Sequence, residues 1–168
     1  MNKKMYMLMG LLLLMPIVSQ AEESLVKSAK RAGLTPIPSN KKALYKLIDP
    51  KKVLTKARIA LGKQLYYDTR LSKDQSISCA SCHDLTQGGA DGLAVAIGIK
   101  GAKNPHHLNS PTVYNAALFE HQFWDGRSPD LEDQAKGPML APFEMGMTPK
   151  LAEERISAVP AYVKEENK

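Results

Sequence analysis

The sequence predicts an all-α domain of short helices and long loops, and three observations carry that expectation. Between Val53 and Leu65 apolar residues recur at three- and four-residue spacing, as on the buried face of a helix. Ser110-Pro111, Ser128-Pro129 and Thr148-Pro149 each pair a capping hydroxyl with proline at the next position, a helix-opening device. No stretch alternates apolar and polar residues as a half-buried strand would, and no internal repeat or low-complexity tract is present.

Taken in order, residues 1–21 read as a secretory signal peptide. Lys3 and Lys4 precede an apolar run from Met5 to Val18, and Ser19-Gln20-Ala21 puts small residues at −3 and −1 of a cleavage site. That run has 14 residues, too few to span a hydrocarbon core of about 30 Å, so no stable membrane insertion is expected. Removal leaves 147 residues, one ordinary domain. Residues 22–49 form a leading arm, ending in Pro36-Ile37-Pro38, and a first helix from after Ser39 to Ile48. The domain proper covers 50–168. Asp49 is expected to cap its first helix with Pro50 at the opening position, burying Val53, Leu54, Ala57, Leu61 and Leu65. A polar turn over 68–76 leads to a short helix holding Cys79 to His83. The Gly-rich stretch from Gln87 to Asn109 is a long loop, and loops of that length in compact domains are usually functional. The three hydroxyl–proline pairs then open three more helices, with Pro160 closing the last.

The chain carries 23 basic and 17 acidic residues, a net charge of +6. Such a surplus on a small domain is ordinary solvated surface and calls for no nucleic acid. Only two cysteines occur, Cys79 and Cys82, which excludes a multi-bridge disulfide framework.

Cys79-Ala80-Ser81-Cys82-His83 has the spacing for covalent attachment of a c-type haem. Two thiols one helical turn apart reach two vinyl groups of one macrocycle, and the adjacent imidazole reaches the iron. A redox dithiol would expect a βαβ setting, which is absent. A structural zinc would need two more ligands, and His106, His107 and His121 are the remaining histidines. The expected architecture is a cytochrome c-like haem domain built around one covalently bound haem c. With 6% aromatic residues, the side chains alone make a thin core, and the macrocycle supplies apolar surface that they do not.

From about Leu61 onward the chain resembles the bacterial di-haem cytochrome c peroxidases, a group that includes the methylamine-utilisation haem enzymes. The resemblance lies in Leu61-Gly62-Lys63-Gln64-Leu65-Tyr66-Tyr67-Asp68, Arg70-Leu71-Ser72, the haem motif, Gly88-Gly89, and Asn109-Ser110-Pro111-Thr112-Val113-Tyr114-Asn115. It continues through Gln122-Phe123-Trp124-Asp125-Gly126-Arg127, Gln134-Ala135-Lys136-Gly137-Pro138 and Glu144-Met145. The resemblance implies a periplasmic peroxidase domain with His83 as proximal iron ligand. It implies Glu144 as the carboxylate that moves a proton between the peroxide oxygens, with Gln134 beside it. Trp124 matches a residue between the family's two haems, although a lone Trp is more often a core anchor. Asn109 matches a side-chain ligand of a calcium ion, and Arg127 suits either a haem propionate or an ion pair. The implied reductant of hydrogen peroxide is a small periplasmic cytochrome c or copper protein.

Two departures stand out. Many relatives carry a distal His on the stretch corresponding to Gly98-Ile99-Lys100-Gly101, where this chain offers Ile99 and Lys100. His106 or His107 could replace it if the loop swings in. Relatives also continue into a second haem domain with its own Cys-x-x-Cys-His, whereas this chain ends five residues after Val163. The expectation is a truncated domain, or a partner of a separately encoded second haem domain, supplied with electrons from outside. The rival is a mono-haem electron carrier ligated by His83 and a methionine, Met145 or Met147, which lie 62 and 64 residues beyond His83. A third alternative is an inert haem fragment.

Overall fold

The computed structural model describes residues 25–48 and 54–166. The signal segment, the Asp49-Pro50 cap and Val53 lie outside the described residues. The chain divides into two compact units between Leu44 and Tyr45. In the first, residues 25–31 of the expected leading arm form helix α1. Helix α2 (Lys41–Ile48) crosses the division and falls where expected. Its cap is Asn40, whose Oδ1 accepts the N–H groups of Lys42 and Ala43 at 2.9 and 3.2 Å.

The second unit is helical, with isolated bridges (Ile97 to Lys103 and Gln122 to Ser128) but no strand among the described residues. Its order is α3 (Lys56–Tyr66), α4 (Cys79–Cys82), α5 (Leu131–Leu140), α6 (Pro149–Ser157) and α7 (Pro160–Glu166), linked by loops with single 3-10 turns. Helix α3 opens at Thr55, six residues beyond the expected cap Asp49, because the Thr55 hydroxyl accepts Arg58 N–H at 3.1 Å. The expected stripe of Leu54, Ala57, Leu61 and Leu65 is half-buried, and α7 packs against this helix.

The hydroxyl–proline pairs divide three ways. Thr148-Pro149 opens α6 as expected. At α5 the cap is Asp130, not Ser128: Asp130 accepts from Asp133 N–H at 2.8 Å, while Ser128 donates to the Asp133 carboxylate at 2.5 Å. No α-helix opens at Ser110-Pro111, where the next element is a 3-10 turn at Ala116–Leu118. Pro160 starts α7 instead of merely closing α6, consistent with proline's tolerance in a first turn.

The buried apolar side chains among the described residues are few: Leu71, Ile99, Ala116, Met145, Met147 and Tyr162. Polar locks supplement them. The Asp68 carboxylate accepts from Arg70 N–H and Nε, each at 2.9 Å, and from Tyr162 Oη–H at 2.7 Å, tying the end of α3 to α7. Arg155 on α6 donates to the carbonyls of Arg70, Ser72 and Lys73 at 3.0, 2.7 and 2.9 Å. Among the described residues no helix is long and apolar enough to cross a membrane.

Candidate haem site

Helix α4 is a single turn, so Cys79 and Cys82 stand on one side of it as half-buried free thiols. Burial pushes both thiols up, and the Asp91 and Glu144 carboxylates add to the effect at Cys82. His83 ends the turn, its N–H donating to the Cys79 carbonyl at 3.0 Å. Its ring Nδ1 lies 3.0 Å from the Pro111 carbonyl. A carbonyl can only accept, so the proton is on Nδ1 and the lone pair of the neutral ring is on Nε2. Metal-bound histidines usually have their second nitrogen held in this way. This is the role of Ser110-Pro111: the pair presents a carbonyl to His83, and Ser110 donates to Asp91 at 3.1 Å instead of capping a helix.

Tyrosines hold the motif from both flanks. Tyr66 donates to the carbonyl of His83 and Tyr114 to that of Leu85. The Tyr66 phenol is pushed up to about 12, first by burial, and therefore remains a donor. Thr112 donates to the Gly88 carbonyl at 2.6 Å. At Gly89, with φ +78, a Cβ would meet Thr112 and Val113 at 3.0–3.1 Å, so the chain here needs glycine to lie against the 112–113 segment. The loop that follows meets the motif at Ile97, whose carbonyl lies 3.8 Å from Cys82 Sγ, and along it Leu93, Ile97 and Leu108 expose large parts of their side chains. Two thiols one turn apart, an imidazole with Nε2 available and apolar neighbours make a donor set that fits a covalent haem.

Glu144 follows α5, in a segment folded back on the helix end through Met145 N–H to the Pro138 carbonyl at 3.1 Å and Met147 N–H to Met139 at 2.8 Å. The Gly-rich loop grips it: Ile99 N–H donates to the Glu144 carbonyl at 2.8 Å. A Cβ on Gly98 would fall 2.1 Å from the Phe143 carbonyl oxygen and 2.6 Å from Glu144 Cα, so glycine permits this approach. The Glu144 side chain is half-buried, and burial raises its pKa despite opposition from Arg127, Asn104 and His106. Asn104 Nδ2 lies 3.4 Å from Glu144 Oε1. This asparagine was not anticipated, because one polar residue in a loop, 40 positions from its partner, leaves no periodic signal.

The other candidates are more dispersed. Gln134 is half-buried on α5, and no hydrogen bond joins it to Glu144 among the described residues. Trp124 is 60% exposed and donates from Nε1 to the Asn109 carbonyl at 3.2 Å. Its loop is closed by the Gln122–Ser128 bridge and anchored by Phe123, whose Cζ would lie 2.6 Å from a Cβ on Gly137. Arg127 pairs with Asp125 at 2.9 Å and lies 3.4 Å over the Phe123 ring centroid, so it is engaged in an ion pair and a cation–π contact. His106 is exposed with its ring edge-on to Phe143 at 6.1 Å, and His107 is exposed with φ 55. Lys100 is exposed near Asp74, whose carboxyl is held down first by Ser76 and to a lesser extent by Lys100. Among the described residues no group of three or more His, Cys, Asp or Glu side chains could hold a metal ion.

Comparisons with known proteins converge on one family. Residues 56–168 match the sequence profile of the di-haem cytochrome c peroxidases. The cytochrome c551 peroxidase of Nitrosomonas europaea is 47% identical over 102 residues, covering 61% of this chain and 30% of that protein. The cytochrome c peroxidase Ccp of Escherichia coli is 53% identical over 97 residues, covering 57% and 20%. Among solved structures, a MauG-like protein associated with microbial copper homeostasis superposes with a TM-score of 0.61 at 30% identity, over 67% of this chain and 33% of that one. The di-haem peroxidase BthA of Burkholderia thailandensis gives 0.57 at 26% identity, over 67% and 32%. The chain thus matches a third or less of each of these relatives. Their agreement with the haem motif and the helical fold leads to one assignment: the chain belongs to the di-haem cytochrome c peroxidase family.

Proposed function

We propose that this chain is a periplasmic c-type haem peroxidase domain that reduces hydrogen peroxide to water, carrying one haem on Cys79 and Cys82. Its electrons come from a small cytochrome c or copper protein, directly or through a second haem domain. When bound, the haem supplies the iron that receives peroxide and the redox centre through which two electrons arrive. The chain's own groups do the rest. The Pro111 carbonyl fixes the His83 tautomer and leaves Nε2 as the nitrogen that would hold the haem iron. Glu144, ionised, takes a proton from one peroxide oxygen and delivers it to the other as the O–O bond breaks, so that one water leaves; two electrons from the donor and two protons from solvent convert the remaining oxygen to the second water. A raised pKa suits that exchange, because a carboxyl must both accept and release the proton. Asn109 offers an oxygen suited to calcium, but the proposal stands without that ion.

The observation that carries this reading is Glu144, a half-buried carboxylate gripped by the Gly-rich loop that follows the haem motif and close enough to Cys82 to perturb its thiol. The electron-carrier alternative needs a methionine sulfur facing the iron. Met145 and Met147 are only 4% and 3% exposed, closed over by the chain itself as core side chains. Replacing Glu144→Gln in the haem-loaded protein should abolish peroxide turnover at unchanged haem content. Unaltered turnover, or a ferric spectrum with the weak sulfur-to-iron band near the red edge, would overturn the proposal.

A further inference from the structure

We infer that Asn104 is the positioning residue of Glu144: its amide holds carboxylate oxygen Oε1 and leaves Oε2 to carry the proton. This rests on the acid–base role proposed for Glu144 and specifies how that role is set up. Asn104 is 8% exposed, and its own backbone is fixed, its N–H donating to the Ala96 carbonyl at 2.9 Å beside the Ile97–Lys103 bridge. Its Oδ1 accepts the backbone N–H of His106 at 2.8 Å. Only the oxygen end of the amide can meet an N–H, so the amide cannot be flipped and its NH₂ must face Glu144.

The same loop therefore grips Glu144 twice, at its backbone carbonyl through Ile99 and at its carboxylate through Asn104. One oxygen is engaged by a neutral donor that cannot surrender its own proton, and the other is free to exchange. An amide donor also favours the ionised form against burial. The charged and titratable groups facing this carboxyl are Arg127 from the 122–128 loop, His106 from the same loop as Asn104, and the Cys82 thiol from α4. Of these groups, Arg127 and His106 also favour the ionised form, but they act electrostatically and without a hydrogen bond to the carboxylate among the described residues.

The test uses the haem-loaded full chain with Asn104→Leu, which keeps the volume, and Asn104→Ser, which restores a small donor. The Leu variant should lower kcat about tenfold with little change in KM for peroxide, and move the acid limb of the pH profile up by roughly half a unit to one unit. The infrared carboxylic acid band of Glu144, identified by its loss in Glu144→Gln, should titrate at correspondingly higher pH. The Ser variant should recover part of each change. An unmoved acid limb and band midpoint in both variants would overturn the inference. If Asn104→Leu fails to bind haem, the Ser variant still decides, through a smaller shift or none. If Glu144→Gln itself leaves turnover intact, the acid–base role fails; if it abolishes turnover while the Asn104 variants shift nothing, only the positioning role fails.

Discussion

Asp68 and Glu144 are both carboxylates drawn into the protein, yet their surroundings act on them in opposite directions. Burial pushes Asp68 up, but Arg70 and Tyr162 together provide three hydrogen bonds and a positive charge, and hold it below its ordinary value. Glu144 receives one long amide contact, and burial prevails. The difference lies in the number and charge of donors. A carboxylate met on all sides stays ionised and serves as a structural rivet. One met on a single oxygen can exchange a proton. The regions around them follow suit: the α3–α7 junction is closed by the chain's own groups, whereas the α4 region presents two thiols, an imidazole nitrogen and apolar side chains to another molecule.

Substitutions can break each half of that comparison separately. The largest effect is expected at Gly98→Ala, because its Cβ would collide with the backbone of Phe143 and Glu144. The variant should lose about 3 kcal/mol of stability together with most peroxide turnover, measured by thermal melts and initial rates. Loss of neither would show that the loop yields freely. Arg155→Met removes three hydrogen bonds from one guanidinium while keeping its aliphatic packing. The expected cost is about 2 kcal/mol, seen as a lower Tm, with turnover per haem unchanged. The smallest effect belongs to Tyr162→Phe, which takes one donor from Asp68 at a cost of about 1 kcal/mol. Because the folded pKa of Asp68 is depressed, its contribution is present above the ordinary value of 3.8 and is lost as pH falls through the lower folded value. The Tyr162→Phe penalty should accordingly be clear near neutrality and fade in acid. A penalty independent of pH would separate Tyr162 from Asp68.

Much of this was legible from local spacing. Cys79, Cys82 and His83 declare their chemistry within five residues, and α2 and α6 lie where apolar periodicity or capping residues put them, whereas α3 keeps the apolar spacing but opens at Thr55 and not at Asp49. Competition between neighbours was not legible. Ser128 and Asp130 are both good caps, and the choice fell to Asp130 because Ser128 had the Asp133 carboxylate to bond. Ser110-Pro111 carries the same signal as Thr148-Pro149, yet its proline carbonyl serves His83. Asn104 and Arg155 were invisible for a different reason. Each acts on a segment about 40 or more than 80 positions away, and no local pattern reports such a pairing.

The bonds that orient His83 also bear on the order of assembly. Its ring reaches Pro111 across 28 positions and its carbonyl meets Tyr66 across 17, whereas the Arg155 and Tyr162 bonds bridge 82 to 94. Closing the shorter loops costs about 1 kcal/mol less in chain entropy for each contact. During folding the surroundings of the attachment motif are therefore favoured to gather before α6 and α7 seal the junction, so the thiols and imidazole can be set in place while the chain is still open enough for a bulky cofactor to be joined to it.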